Sequence, residues 1–177
     1  MKKIIVVLLC LLMSVGILGC NGGDKTGTET PKSPDENASI KLTDMIETVC
    51  KDVKLPEYEV FDLDESAFEA YGFVSWSDGI EAVCSEGKIM TNAHSLVLIR
   101  TNDVNSEELA KEIAEKADVR KWICVQAEVG KVLYTEHYVL MVMTYKDAFD
   151  GLKANFEKLL DSEEVKSLDI MSAEISG

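Results

Sequence analysis

The side chains able to do chemistry are few and scattered. The chain holds two histidines, His94 and His137, and five cysteines, Cys10, Cys20, Cys50, Cys84 and Cys124. A nucleophile of the cysteine–histidine type would draw on Cys84 or Cys124 with His94 or His137. Such pairs are built by the fold and not by spacing, so the sequence neither makes nor excludes one. A zinc site needs about four converging ligands. No CxxC pair and no histidine at ligand spacing is present, so no metal and no cofactor is expected. Cys50, Cys84 and Cys124 each adjoin apolar residues and read as small core side chains; one disulfide plus a leftover thiol is the alternative. Asp62, Asp64, Glu65 and Glu69 cluster, but without the alternating loop and distant glutamate of a calcium site. They read as helix capping and a solvated face. Trp76 sits in Val74-Ser75-Trp76-Ser77-Asp78-Gly79, a loop composition in which an exposed aromatic marks a contact surface. His94, in Thr91-Asn92-Ala93-His94-Ser95, is expected in solvent at a loop or strand edge. Trp76 and His94 are therefore the candidate ligand or partner contacts. No catalytic residue is assigned, because GxSxG, HExxH, GxGxxG and a glycine-rich phosphate loop are all missing.

The first twenty residues say where this chemistry would operate. Lys2 and Lys3 precede an apolar run from Ile4 to Leu18, and Ile17-Leu18-Gly19-Cys20 ends in small residues. At ~1.5 Å per residue that run falls short of a ~30 Å hydrocarbon core, which favours a cleaved signal over a membrane span. The segment resembles a bacterial lipobox. That resemblance implies a signal peptide over residues 1–19, acylation of Cys20 on sulfur, and Cys20 as the first residue of the mature protein. The membrane would then be reached through the lipid on Cys20.

Charge narrows the partners. Acids number 32 against 18 bases, a net −14, and loss of Lys2 and Lys3 with the leader makes the mature chain −16. Such a surface argues against nucleic acid and against adsorption on anionic lipid. Residues 20–39 hold the lipidated cysteine and a stretch without large apolar side chains. It cannot bury enough surface to offset its ordering entropy, so a flexible tether is expected.

Elements able to position a site begin near Ile40. Leu42, Met45, Ile46, Val49, Cys50 and Val53 recur at helical spacing, and Leu55-Pro56 stops that helix. Asp64 caps a short helix ending near Gly72. Ile80–Ser85 and Ser95–Arg100 read as strands. Asn105 and Glu108 open a helix through Ala117, with Glu107/Lys111 and Glu112/Lys116 paired on its outer face. Trp122–Val125 with Val132–Tyr134, then Tyr138–Met143, supply two more strands, with Thr135-Glu136-His137 or the nearby Gly130 for the turn. The last run is apolar enough to be buried on both faces at the sheet centre. A helix spans Lys146–Leu160, and residues 162–177 form an acidic tail or short helix. The expected order is α-α-β-β-α-β-β-α. This is an α+β fold in two layers, a mostly antiparallel four-stranded sheet with helices on one face, within a single domain over 40–161.

The local features Tyr71-Gly72, Met90-Thr91-Asn92-Ala93 and Arg120-Lys121-Trp122-Ile123-Cys124-Val125, behind a lipobox and polar tether, resemble a family of Gram-positive, chiefly clostridial, lipoproteins built on a domain of unknown function. The similarity covers about residues 41–160. It implies one α+β domain held outside the membrane of a monoderm cell. It brings no activity, cofactor or catalytic residue to carry over.

The expected function is therefore a membrane-tethered, extracytoplasmic lipoprotein: a non-enzymatic module that binds an unknown protein or envelope ligand. An envelope hydrolase or transferase with a dispersed site is the alternative. A transporter's substrate-binding component ranks last, since the domain is small for a two-lobed clamp.

Overall fold

The computed structural model describes residues 37–161 and 163–174; the leader, Cys20 and the tether up to residue 36 lie outside them. Helix α1 (Leu42–Cys50) leads into strand β1 (Tyr58–Leu63), α2 (Glu65–Gly72), the hairpin β2 (Ile80–Gly87) and β3 (Ser95–Thr101), and α3 (Ser106–Lys116). A second hairpin, β4 (Val129–Tyr134) and β5 (Tyr138–Thr144), is followed by α4 (Lys146–Leu159), β6 (Lys166–Asp169) and the single turn α5 (Met171–Glu174). Among the described residues no helix is long and apolar enough to cross a membrane.

The fold is α+β with one antiparallel sheet, as composition and periodicity imply. The sheet has six strands and not four, in the order β1-β2-β3-β5-β4-β6. The extra two are β1 and β6, the edges. Each hairpin is local, and the two are joined where β3 lies beside β5, with Leu98 opposite Leu140.

The expectation of two layers with helices on one face is also corrected. Side chains alternate along a strand, so odd and even positions of β3 and β5 face opposite ways. Leu96, Leu98, Leu140 and Val142 pack under α1 and α4. Val97, Ile99, Val139 and Met141 pack under α2 and α3. Every residue of β3 and β5 is buried, which requires cover on both faces. One rank on the α2/α3 side runs across the whole sheet by register: Phe61, Cys84, Val97, Met141, Val132 and Leu168.

Local chemistry sets the boundaries. Asp64 accepts from Ala67 N and caps α2; Asn105 accepts from Glu107 N and Glu108 N and caps α3. Thr135 turns the β4–β5 hairpin, its hydroxyl accepting from the backbone of His137 and Tyr138. Helix α1 stops at Cys50, short of Pro56, and Asp52 takes a left-handed φ of 59°. Helix α2 runs through Gly72, and Phe73 adopts the left-handed conformation usually given to glycine, φ 65°. Gly72 has another reason to be small: a Cβ there would lie 3.1 Å from the Phe68 ring. The stretch Trp122–Val125, expected as strand, is irregular, and β4 starts only at Val129.

Candidate functional site

The β2–β3 hairpin places four polar residues at one end of the sheet. Ser85 and Glu86 are adjacent on β2, as are His94, immediately before β3, and Ser95, its first residue. Alternation therefore sends Ser85 and His94 to the α1/α4 side, and Glu86 and Ser95 to the α2/α3 side.

On the first side, Ser85 Oγ lies 3.0 Å from His94 Nε2 and 3.9 Å from Cys50 Sγ at the end of α1. The Tyr58 ring covers the imidazole, centroids 5.4 Å apart. His94 is fully buried, contrary to its expected place in solvent, because the loop before it folds back on β2, Gly87 N bonding to His94 O. Burial, with a smaller contribution from the charge of Lys121, pushes its pKa down to about 4. The same burial pushes the Cys50 thiol up to about 11. A hydroxyl on an imidazole nitrogen is the geometry of a nucleophile and its base. A working pair also needs an orienting acid and a path for substrate. Nδ1 of His94 has no hydrogen-bond partner, and none of the clefts described below is lined by either residue.

On the second side the arrangement is charged. Lys121 Nζ donates to Glu86 Oε2 at 2.9 Å and to Ser95 Oγ at 3.0 Å. It lies over the rings of Tyr71 and Trp122, 5.1 and 5.2 Å from their centroids. Trp122 Nε1 donates to the other oxygen of Glu86 at 3.3 Å. Both members of the ion pair keep only 15 % of their side-chain surface. Cys84 lies beside this group, its thiol pushed up by burial and by the negative charge of Glu86.

Among the described residues, three of the four large apolar side chains left exposed lie in the loops around these two clusters, the fourth being Met171. Ile89 and Met90, in the β2–β3 loop, are 52 % and 60 % exposed, and Ile123, in the α3–β4 segment, is 84 % exposed. Cys124 is exposed as well, which corrects its expected place in the core; Cys50 and Cys84 are buried. Both segments leave the same end of the sheet, linked by the Glu86 contacts to Lys121 and Trp122.

The opposite end receives the chain from its N-terminal part. Arg100 Nη2 donates to the carbonyls of Asn37 and Ile40, its Nη1 pairs with Glu81 at 2.8 Å, and its Nε reaches the Tyr138 hydroxyl. Trp76 is at this end. It is half-buried, edge-on to Phe68 at 5.4 Å, and lines a cleft of about 560 Å³ with Lys41, Asp62 and Glu81. His137 borders a separate cleft of about 590 Å³ with Tyr134, Glu163 and Lys166. Trp76, His94 and His137 are thus not brought together. Trp122 is buried and closes the core.

Sequence reasoning missed Ser85 and Lys121. The signal for Ser85 was its position as the last residue read into a strand whose hairpin mate begins just after His94. For Lys121 the adjacent Trp122 is the one local partner, and the others lie at positions 71, 86 and 95. No protein-family model, curated protein or solved structure matches the chain.

Proposed function

We propose that the protein is an extracytoplasmic lipoprotein, acylated at Cys20, whose folded part is a non-enzymatic binding module. It meets a protein partner through the sheet end that carries Ile89, Met90 and Ile123. The carrying observation is the placement of those three side chains. They lie at the end of the sheet opposite to Asn37, whose carbonyl Arg100 holds. Large apolar side chains left in water at one end of a domain are a partner's contact surface in waiting. The charge of the chain supports a basic partner, because like-signed surfaces repel and opposite ones steer association. The lipobox and the resemblance to clostridial lipoproteins support the location.

A second reading, an envelope hydrolase, draws on the 3.0 Å contact between Ser85 and His94. It lacks an acid on Nδ1 and an opening to the pair, and it ranks below the binding module for that reason.

Two measurements test the proposal. Intact mass of the protein from native membranes is expected to show a chain beginning at Cys20 with added acyl mass; an unmodified chain overturns the anchoring. For the contact surface, a photoreactive maleimide on the exposed Cys124 thiol is expected to give a discrete adduct in intact cells. That adduct should disappear when Ile89, Met90 and Ile123 are all changed to Ser, and survive Trp76→Ala. An adduct indifferent to the triple change, or none at all, overturns the contact surface.

A further inference from the structure

Glu86, Ser95, Tyr71 and Trp122 converge on one ammonium group, and it belongs to the chain itself. The carboxylate and hydroxyl oxygens stand 2.9 and 3.0 Å from Lys121 Nζ, and the two aromatic faces lie 5.1 and 5.2 Å from it. An anionic oxygen, a neutral acceptor and two π faces are the elements by which proteins hold ligand cations.

The walls and the occupant are built differently. Tyr71 is on α2, Glu86 on β2 and Ser95 on β3, all regular elements, and buried Trp122 is fixed by its indole N–H on Glu86. Lys121 comes from the irregular stretch between α3 and β4, next to exposed Ile123 and Cys124. Its ammonium hangs on a flexible four-carbon stem, so it can swing out by side-chain rotation with the backbone in place. Its departure leaves Glu86 facing an aromatic-walled pit without a cation.

We infer that this pit is a binding site for a primary ammonium on an unbranched alkyl chain, and that Lys121 is its resident, displaceable plug. The two oxygen acceptors set the class, since a quaternary ammonium has no N–H to give them. Resting on the proposed contact surface, which lies at the same end of the sheet, the ligand is a lysine side chain of the basic partner. The same chemistry on a free alkylamine is the other source. While Lys121 sits in the pit, the apparent affinity for any competitor is reduced by the fraction of molecules in which the pit is open.

Trp122 reports on its own site once the second tryptophan is silenced by Trp76→Phe. The experiment titrates n-propylammonium chloride, against sodium chloride at equal ionic strength, into the Trp76→Phe protein with and without Lys121→Ala. A saturable change in Trp122 emission is expected in both, with the midpoint on the order of tenfold lower once the plug is removed. Tetramethylammonium should bind more weakly, and Glu86→Gln should abolish the response. Should Lys121→Ala not fold, Lys121→Met keeps the aliphatic packing without the charge, and the same lowering is expected. A midpoint unchanged by loss of the ammonium, or silence in both proteins, overturns the inference. A Gly-Lys-Gly peptide that competes better than propylammonium assigns the partner's lysine as the source, and the reverse order assigns a free amine. Failure here is separable from failure of the contact surface, which is read by the Cys124 adduct and its dependence on Ile89, Met90 and Ile123.

Discussion

Ser85 Oγ and His94 Nε2 stand 3.0 Å apart across the β2–β3 hairpin, and neither residue reaches water. The imidazole is held neutral among Cys50, Ser85 and Tyr58, with Lys121 beyond Ser95 on the other side of the sheet adding its positive charge. An ordinary histidine titrates near 6.5, whereas this one is pushed down to about 4. The unfolded chain therefore binds the extra proton between these values, and stability must fall as pH falls across that window. The full loss is about 3 kcal/mol, reached near the lower value, and nothing is lost from this group above about pH 6.5. Denaturant titrations at pH 7 and pH 4.5 should show the decline in the natural chain. His94→Gln, which keeps a donor and acceptor without the titration, should flatten it. An equal decline in both proteins would sink the assignment to His94.

The three cysteines of the domain separate by burial. Cys50 and Cys84 lie in opposite layers beneath the helices, and burial raises both thiols out of the reactive range. Attack on a disulfide reagent needs a thiolate in contact with solvent. In the folded domain Cys124 alone of these three should react with an aromatic disulfide reagent at pH 8. The other two should follow at the rate of global unfolding. Rapid reaction of two thiols would show that α1 or α2 lifts from the sheet without unfolding.

Leu140 occupies the middle of β5, between Leu98 of β3 and Leu133 of β4. Leu140→Ala is expected to cost about 2–5 kcal/mol, the range for a cavity opened in a packed core. Glu107→Ala, by contrast, removes an ion pair with Lys111 that stands in solvent, and should leave the melting temperature unchanged. Thermal unfolding of the two variants beside the natural chain measures the contrast directly.

Much of this architecture was legible because the responsible interactions are local. Asp64 and Asn105 cap the helices their side chains announce, and Glu107–Lys111 and Glu112–Lys116 pair at one helical turn, each at 2.6 Å. What failed to show depends on distant cover. Strand β1 reads Tyr58-Glu59-Val60-Phe61-Asp62-Leu63, where adjacent Val60 and Phe61 break the alternation because each faces a different helical layer. The continuous apolar run of β5 already demanded cover on both faces, so helices on one face alone were inconsistent with it. Strand β6 has only Leu168 packed against the core, too little for a pattern to register. The candidate site was less legible still. His94 lies in a polar pentapeptide, and nothing nearby tells that Tyr58 and the end of α1 will close over it. The ammonium on Lys121 is likewise claimed by residues far away in the chain.

Arg100 is the point where the N-terminal part of the described chain is fastened to the sheet. Its guanidinium serves the carbonyls of Asn37 and Ile40, the Tyr138 hydroxyl and Glu81 together. A lysine has one compact ammonium and cannot span that fork. Arg100→Lys should therefore leave buried acceptors unsatisfied and cost about 1–3 kcal/mol, with the loss concentrated at residues 37–41. Trypsin reports it, because Lys41 is exposed and next to the segment Arg100 secures. Cleavage there should quicken on the order of tenfold, the factor that about 1.4 kcal/mol of local opening supplies when opening is fast. Glu81→Gln is the control. Glu81 is more than half exposed, so its pairing with Arg100 is screened by water and its removal should barely alter the rate. Equal cleavage of the natural chain and Arg100→Lys would show that α1, packed on α4 through Met45 and Val49, holds this segment without the arginine.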